Sequence, residues 1–287
     1  MFELKRFDKK PTKVLIVAKQ NRAGLRMGRV LEKKLQGKVD IAFEPTTARK
    51  YRKLGTSIKK FDGDLVITLG GDGTFLRAAH QTHLPILPIK LEGHGFLCTC
   101  TFSEFSDNLQ RIFDGKFDIF DRMRLSCTRT GDKRRFDRYV HRIKRETYPL
   151  AVNEIAFARK RPSKVLEVEI IIDDVKFDYI GDGVMISTPA GSTAYNSSAG
   201  GSLIDPDLDV ISITALYPFY SKLKPMIVPS GKRIEILVKG DCALVIDGHG
   251  GDYIKRDGRF IIERSHPSKV VHLINQNFYQ KFKNEFL

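Results

Sequence analysis

Two glycine-rich stretches hold the polar residues of this sequence that are best suited to phosphate chemistry. The first reads LGGDGTFL and places Asp72 among Gly70, Gly71, Gly73 and Thr74. Glycines let a phosphate approach the backbone closely, and the N–H groups that open a helix favour an anion. A carboxylate amid phosphates is repelled unless it holds a divalent metal or takes a proton from an attacking hydroxyl. We therefore predict a phosphate loop at these four neighbours, with Asp72 as the catalytic candidate.

An acidic turn that only caps the following helix is the alternative for this loop, and it is the better interpretation of a generic GDG tripeptide. GGDGT directly after an apolar run is more specific. The sequence has no GxxxxGK[ST] loop and no set of protein-kinase signatures, which disfavours a standard P-loop ATPase and a protein kinase.

The second stretch, Gly181–Gly201, reads GDGVMISTPAGSTAYNSSAGG. Such a mixture of glycine and hydroxyl residues packs poorly in a core but offers many hydrogen-bond donors. Hydroxyls and free N–H groups suit ribose and phosphate, and Tyr195 offers a flat face on which adenine can stack. We predict a nucleotide-binding loop here.

Asn153 and Glu154 stand between the apolar runs Leu150–Val152 and Ile155–Phe157. Burial of an amide and a carboxylate requires partners. Sugar hydroxyls are the predicted partners, and an internal pair that fixes a turn is the alternative. Asp247, in the sequence DGHG after another apolar run, is predicted to add one more polar contact to the substrate.

The elements that would position these residues change in character along the chain. Lys13–Lys19 predicts a buried strand and Leu25–Leu35 a helix. Asp64–Leu69 predicts a strand that enters the first glycine stretch, Thr74–Gln81 a helix, and Pro85–Ile89 a further strand. Alternating strands and helices predict a Rossmann-like α/β domain with a parallel sheet.

From about Asp121 onward the sequence predicts many short strands and few helices, hence a β-rich, β-sandwich-like domain. Val270–Leu287 carries aromatic residues at helical spacing. We expect an α/β domain over residues 1–120, a β-rich domain over 121–269, and a C-terminal helix over 270–287. The predicted strands of the β-rich part are Leu166–Ile172, Val184–Thr188, Val210–Ala215, Arg233–Val238, Cys242–Ile246 and Phe260–Glu263.

Composition narrows the class of protein. Neither a long apolar segment nor the apolar core of a signal peptide occurs, so we expect a cytoplasmic protein with no membrane partner. Four cysteines are too few and too unevenly spaced for a disulfide framework. The formal net charge of +15 is dispersed apart from a cluster at Lys133–Arg145, so we expect small polyanions rather than a nucleic acid as partners.

With both loops in view, the sequence resembles the NAD kinase family, which phosphorylates the 2′-hydroxyl of the adenosine ribose of NAD. Gly70–Ala78 resembles its first motif, Asn153 and Glu154 its NE motif, and Gly181–Pro206 its long glycine-rich motif. GGDGT is shared with lipid kinases, whereas TPxGSTAYxxSxGG at Thr188–Gly201 is the specific signal. The resemblance spans nearly the whole chain. It implies an α/β domain followed by a β-rich dinucleotide-binding domain, with the C-terminal helix over 270–287 packing on the first domain.

The resemblance also implies roles for single residues. Asp72 would be the base, Gly73 and Phe96 would contact the substrate, and Asn153 with Glu154 would hold ribose hydroxyls. It further implies Mg²⁺ or another divalent metal, with NAD and either ATP or polyphosphate as substrates, and a homodimer or homotetramer. The remaining implied binding residues are Thr193, Ala194, Tyr195 and Ser198, with Asp182 reaching the nicotinamide end from a neighbouring subunit.

Five positions depart from the family pattern. Lys90 and Glu92 stand where Asn and Gly are usual, so Lys90 either brings a charge to the donor site or is a packing substitution. Phe219 and Lys224 stand in the places of a His and an Arg, and Ala190 replaces Thr or Ser. A GGDGT-type lipid kinase and a dinucleotide sensor or RNA-binding module without turnover remain the alternatives.

Overall fold

The computed structural model describes residues 5–7, 10–91, 93, 95–130, 146–274 and 277–286. The basic cluster Lys133–Arg145 and the two residues Glu92 and His94 lie outside this part. The strands are β1 Lys5–Phe7, β2 Lys13–Ala18, β3 Asp40–Phe43, β4 Leu65–Gly70, β5 Ile86–Lys90, β6 Cys100–Thr101, β7 Phe117–Thr130, β8 Glu146–Thr147, β9 Glu154–Arg159, β10 Leu166–Ile172, β11 Val175–Gly181, β12 Gly183–Ser187, β13 Val210–Leu216, β14 Met226–Pro229, β15 Ile234–Lys239, β16 Cys242–Ile246, β17 His249–Ile254 and β18 Gly258–His272.

The helices are fewer and concentrate in the first part of the chain. They are α1 Arg22–Leu35, α2 Pro45–Tyr51, α3 Asp72–Ala79, α4 Phe102–Asp107, α5 Leu109–Phe113, α6 Tyr195–Ser198 and α7 Phe278–Phe286, with 3₁₀ turns at Ile58–Lys60 and Ala190–Thr193.

The contacts divide the chain into two compact units, and one of them is discontinuous in sequence: it joins residues up to 122 with 267–286. Its parallel strands follow the order β3-β2-β4-β5, and the end of β18 adds a further parallel pairing of Val270 with Ile86. Strand β4 is buried at every residue, as expected for a parallel sheet that is covered on both faces. Leu31 and Leu35 of α1 lie in the core of this unit.

The second unit, residues 123–266, is built from antiparallel strands. Six of them follow the order β14-β13-β12-β9-β16-β17, and a second set pairs β11 with β10, β10 with β15, and β15 with the first part of β18. Phe157 of β9 and Phe260 of β18 meet with ring centroids 4.6 Å apart, and both belong to one buried apolar cluster. The predicted α/β plus β-rich fold class is therefore confirmed.

Strand prediction succeeded where apolar residues alternate or run together, and Leu166–Ile172 and Cys242–Ile246 coincide with β10 and β16. Strands β11 and β17 were missed because β11 is largely exposed and charged and β17 carries two glycines. The predicted helix over Val270–Leu287 is wrong for its first residues: Val270–His272 ends β18, because two buried valines complete the sheet there.

The domain limits at residues 120 and 269 stay a prediction, because a compact unit of contacts is not proof of independent folding. No helix among the described residues has the length and apolar character needed to cross a membrane.

Candidate active site

Asp72 occupies the junction of a buried strand and a helix in the discontinuous unit. Strand β4 ends at Gly70, Gly71 is the N-cap of α3, and Asp72 is its first residue. The Asp72 carboxylate accepts hydrogen bonds from the backbone N–H groups of Phe96 (2.9 Å) and Leu97 (2.8 Å). It is thus fixed by backbone donors outside its own helix, which a simple capping turn does not require.

The phosphate-loop residues around it have unequal amounts of space. A Cβ at Gly70 would lie 2.3 Å from the Thr74 hydroxyl oxygen, so Gly70 is required for the close return of the chain. Among the residues that the structure describes, a Cβ at Gly73 would meet nothing within 4 Å, and Gly73 is exposed. The loop therefore presents an open backbone surface at Gly73 beside the half-buried Asp72.

The charges of Lys281 and Arg122 act on Asp72 and also on His272, and sequence reasoning missed all three groups. Burial raises the pKa of the Asp72 carboxyl, while the two N–H donors and the charges of Lys281 and Arg122 lower it. Burial, followed by the charge of Arg122, lowers the pKa of Lys281 to about 8. The charge of Asp72 acts in the opposite direction. Burial and both cations lower the pKa of His272 to about 3, so this imidazole is neutral.

Asn153 and Glu154 belong to the other unit, where β9 begins, and a third residue holds them. The carboxylate of Asp247 accepts from the backbone N–H groups of Val152 (2.8 Å), Asn153 (2.7 Å) and Glu154 (3.0 Å). Asp247 has a φ of 50° directly after β16, and the charge of the buried Arg124 acts on it. These three hydrogen bonds give Asp247 an anchoring role, and its predicted contact with the substrate stays a prediction.

The side chains of Asn153 and Glu154 are buried but incompletely bonded. Asn153 is 7% exposed and Glu154 is 3% exposed. Among the described residues, Asn153 Oδ1 and Glu154 Oε2 have no hydrogen-bond partner. Burial, and then the charge of Asp247, raise the pKa of Glu154 to about 7, against the N–H of Tyr195, which bonds to this carboxyl. Two buried oxygens without protein partners are suited to accept hydrogen bonds from a ligand.

The long glycine-rich stretch folds back onto the same residues. Thr188 Oγ1 donates to the Val152 carbonyl (2.6 Å), and Ser187 Oγ donates to the Asn153 carbonyl (3.1 Å). A Cβ at Gly191 would lie 2.1 Å from the Asn153 carbonyl oxygen, so only glycine fits there. These two hydroxyls shape the loop, and the predicted contact of the stretch with a nucleotide stays a prediction.

One buried asparagine was missed by the sequence analysis although it lies inside the motif. Asn196 is fully buried, accepts from Thr214 Oγ1 (2.8 Å) and donates to the Ser202 carbonyl (3.2 Å). Gly201 leaves room for it, since a Cβ there would lie 2.2 Å from Asn196 Oδ1. Asn196 thus closes the loop on itself.

The remaining predicted dinucleotide residues lie along this loop. Tyr195 is 47% exposed, so its ring is available for stacking, and Ser198 is exposed at the end of α6. Thr193 is buried and donates to the Ala190 carbonyl (3.2 Å), while the Ala194 N–H bonds to Gly191. Their roles in binding stay predictions.

Asp182 and three of the residues that depart from the family pattern are either ion-paired or exposed. The Asp182 carboxylate pairs with Arg159 at 3.0 Å within one chain. Lys90 pairs with Glu285 of α7, which favours the interpretation of Lys90 as a structural substitution. Phe219 is 50% exposed and Lys224 is exposed as well.

In the part of the chain that the structure describes, no three His, Cys, Asp or Glu residues are grouped so as to hold a metal ion. Each oxygen of Asp72 accepts one N–H and keeps a further lone pair. These residues fit an ion that is carried mainly by substrate phosphates and water, as is usual for Mg²⁺, and they do not fit a protein cage.

The structure brings together Asp72 and Phe96 in one unit, and Asn153, Glu154, Asp247 and Tyr195 in the other. Comparison with known proteins then decides the family. Residues 13–117 match the ATP-NAD kinase N-terminal domain, and residues 152–275 match the ATP-NAD kinase C-terminal domain. The chain belongs to the NAD kinase family.

Single relatives agree with this membership. An NAD kinase from Thermococcus kodakarensis is 33% identical over 245 residues, which cover 81% of this chain and 84% of that protein. An NADH kinase from yeast, solved in complex with NADH, superposes with a TM-score of 0.87 at 23% identity and covers 99% of this chain and 90% of its own. An NAD kinase from Archaeoglobus fulgidus, solved in complex with ATP, gives a TM-score of 0.72 at 24% identity over 96% and 98% of the two chains. At these identities, the likeness to the two solved structures shows the fold only.

Proposed function

We infer that this NAD kinase family member transfers a phosphoryl group from ATP to the 2′-hydroxyl of the adenosine ribose of NAD, giving NADP. The observation that carries the inference is the pair of buried oxygens, Asn153 Oδ1 and Glu154 Oε2, which have no hydrogen-bond partner in the described part of the chain, together with the exposed ring of Tyr195. Sugar hydroxyls supply the donors that these oxygens lack, and an adenine supplies a face for the tyrosine.

Asp72 is the base. Its carboxylate is aimed by the N–H groups of Phe96 and Leu97, and it accepts the proton of the 2′-hydroxyl as that oxygen bonds to the terminal phosphorus and ADP leaves. Glu154 and Asn153 orient the ribose, which removes most of the entropy cost of the encounter. The open backbone at Gly73 accommodates donor phosphates at the start of α3. Mg²⁺, when bound with these phosphates, supplies neutralisation of their charge.

The same assignment extends to partners and location. We propose that Asp182 acts across a subunit boundary in a homodimer or homotetramer, that polyphosphate is the other candidate donor, and that the protein works in the cytoplasm. Thr193, Ala194, Tyr195 and Ser198 line the dinucleotide. The lipid-kinase alternative has no support in the residues described, since the GGDGT loop is accompanied by the complete glycine-rich motif.

The first test is an assay of NADP formation with ATP, and separately with polyphosphate, using an NADP-specific dehydrogenase as the readout. Asp72→Asn should lower kcat on the order of a thousandfold while NAD binding and the thermal midpoint stay close to wild type, because the amide cannot accept the proton. Near-normal turnover of Asp72→Asn would show that Asp72 is not the base. NAD binding without NADP formation by the wild type would indicate a sensor, and phosphorylation of a lipid alcohol alone would indicate a lipid kinase.

A further inference from the structure

The C-terminal helix α7 contacts the segment that aims Asp72. Lys281 donates a hydrogen bond from Nζ to the carbonyl of Cys98, and this Nζ lies 5.4 Å from the centroid of the Phe96 ring. Phe278, on the same face of the helix, packs edge to face on Phe96 with centroids 5.6 Å apart. Residues 96–98 are thus held from one side by α7.

The same short segment supplies the donors to Asp72. The N–H groups of Phe96 and Leu97 bond to its two carboxylate oxygens, one each. A displacement of residues 96–98 would therefore turn or release the carboxylate. Lys281, more than 200 positions away in sequence, is connected to Asp72 through one backbone segment.

Charged and titratable groups from several elements face this centre. Lys281 of α7 and Arg122 of β7 act on Asp72, and both act on His272 of β18. The charge of Lys281 also acts on the thiols of Cys98 and of Cys100 in β6. Burial raises the pKa of each thiol to about 12, so both are neutral. Glu285 of α7 acts on Lys281 and is itself paired with Lys90 of β5. Glu104 of α4 acts on Cys100, and the two charges that act on Asp72 itself, Lys281 and Arg122, are both cationic.

We propose that Lys281 is a positioning residue for phosphoryl transfer, which fixes residues 96–98 and presents a cation to Asp72 so that the carboxylate is ionised and correctly aimed. The proposal rests on the function inferred above. Burial opposes the ionisation of Asp72, because a buried carboxylate loses its hydration. The positive charge of Lys281 offsets part of this cost. Removal of the Lys281 charge should therefore keep Asp72 protonated to a higher pH.

The test compares Lys281→Gln and Lys281→Met with Lys281→Arg, and uses Lys283→Gln as the matched control, because Lys283 is an exposed lysine of the same helix. For Gln and Met, kcat at pH 7 should fall on the order of tenfold or more, and the acid limb of the kcat profile should move up by about one pH unit. Arginine should restore most of the rate and the profile. The control should match wild type, and NAD affinity should change little throughout.

Unchanged kcat in Lys281→Gln would overturn the proposal. So would a lower kcat with an unmoved pH profile, because a purely structural role predicts that result. The pKa of Asp72, followed by carboxyl ¹³C NMR in wild type, Lys281→Arg and whichever of Lys281→Met and Lys281→Gln folds, tests the charge effect without any turnover. An Asp72 pKa that rises only when the charge is removed supports it even if the wild type forms no NADP, whereas an unmoved pKa overturns it.

Discussion

Glu154 combines two properties that rarely occur together, since it is almost fully buried and one of its oxygens has no donor among the residues that the structure describes. Asp247 anchors the backbone at this position, yet its charge also raises the Glu154 pKa after the larger effect of burial. The same neighbour thus sets the position of Glu154 and makes its ionised form costly. A ligand hydroxyl that bonds to Glu154 would offset part of this cost.

The stability of the protein should report this cost as a function of pH. Between pH 4.5, the ordinary pKa, and about 7, the folded protein keeps the Glu154 proton while the unfolded chain has released it. The unfolded state then binds fewer protons, so the free energy of unfolding falls as pH rises, by up to about 3 kcal/mol from this group. Chemical denaturation of wild type and Glu154→Gln across pH 4 to 8 measures the difference. A difference that does not change with pH would mean that Glu154 ionises normally.

Single residues also mark where sequence reasoning stopped. The candidates Asp72, Asn153 and Glu154 stand out because a polar side chain interrupts an apolar or glycine-rich pattern, and that signal is local. Lys281 and Arg122 gave no such signal, since each is an ordinary basic residue until the fold brings it to Asp72. Their role depends on burial, which composition and spacing do not reveal.

At the scale of elements, the glycine-rich loop is shaped by close approach to the start of β9. Gly191 passes the Asn153 carbonyl so closely that a methyl group has no place, and Thr188 bonds to the preceding carbonyl. The loop and the Asn153–Glu154 pair are therefore one structural entity, although about 35 residues separate them in sequence.

Gly191→Ala should therefore lower stability by about 2–4 kcal/mol and weaken NAD binding, because the backbone on one side must move. Gly231→Ala is the matched control, since a Cβ at Gly231 would meet nothing within 4 Å and its φ is not positive. The control should be neutral or slightly stabilising. Guanidinium denaturation and NAD titration of both variants give the comparison. Equal effects of the two substitutions would contradict the proposed crowding.

Element prediction from the sequence followed the strength of the pattern. β2, β4 and β16 are short apolar runs and were found to within a residue or two. The missed strand β11 is stabilised by its pairing with β10 along seven residues, and such a pairing lies outside the reach of a local pattern. The aromatic spacing of the last segment predicted a helix that starts too near Val270. Val270 and Val271 are buried residues of the sheet instead.

At the scale of the whole molecule, the net charge of +15 is a property that a substrate meets before any single residue. ATP carries more negative charge than NAD, and keeps part of that excess when Mg²⁺ is bound, so it should be attracted more strongly. Because salt screens such fields over about 10 Å at 0.1 M, KM for ATP should rise severalfold with added sodium chloride, and KM for NAD should rise less. Steady-state kinetics at a series of salt concentrations test this. Equal salt dependence for both substrates would show that local contacts, and not the overall field, set the affinity for ATP.

The division of one unit over two distant parts of the chain has a consequence for protein synthesis. Residues 123–266 emerge from the ribosome as an uninterrupted stretch, whereas the Asp72 unit waits for the end of β18 and for α7. Domains that are continuous in sequence are the ones able to fold during translation. A chain whose translation stops before Val270 therefore lacks Val270, Val271 and Lys281, and with them the partners of β5 and of the segment beside Asp72. Incomplete translation products would thus contain the GGDGT motif but lack the residues that position Asp72 for catalysis.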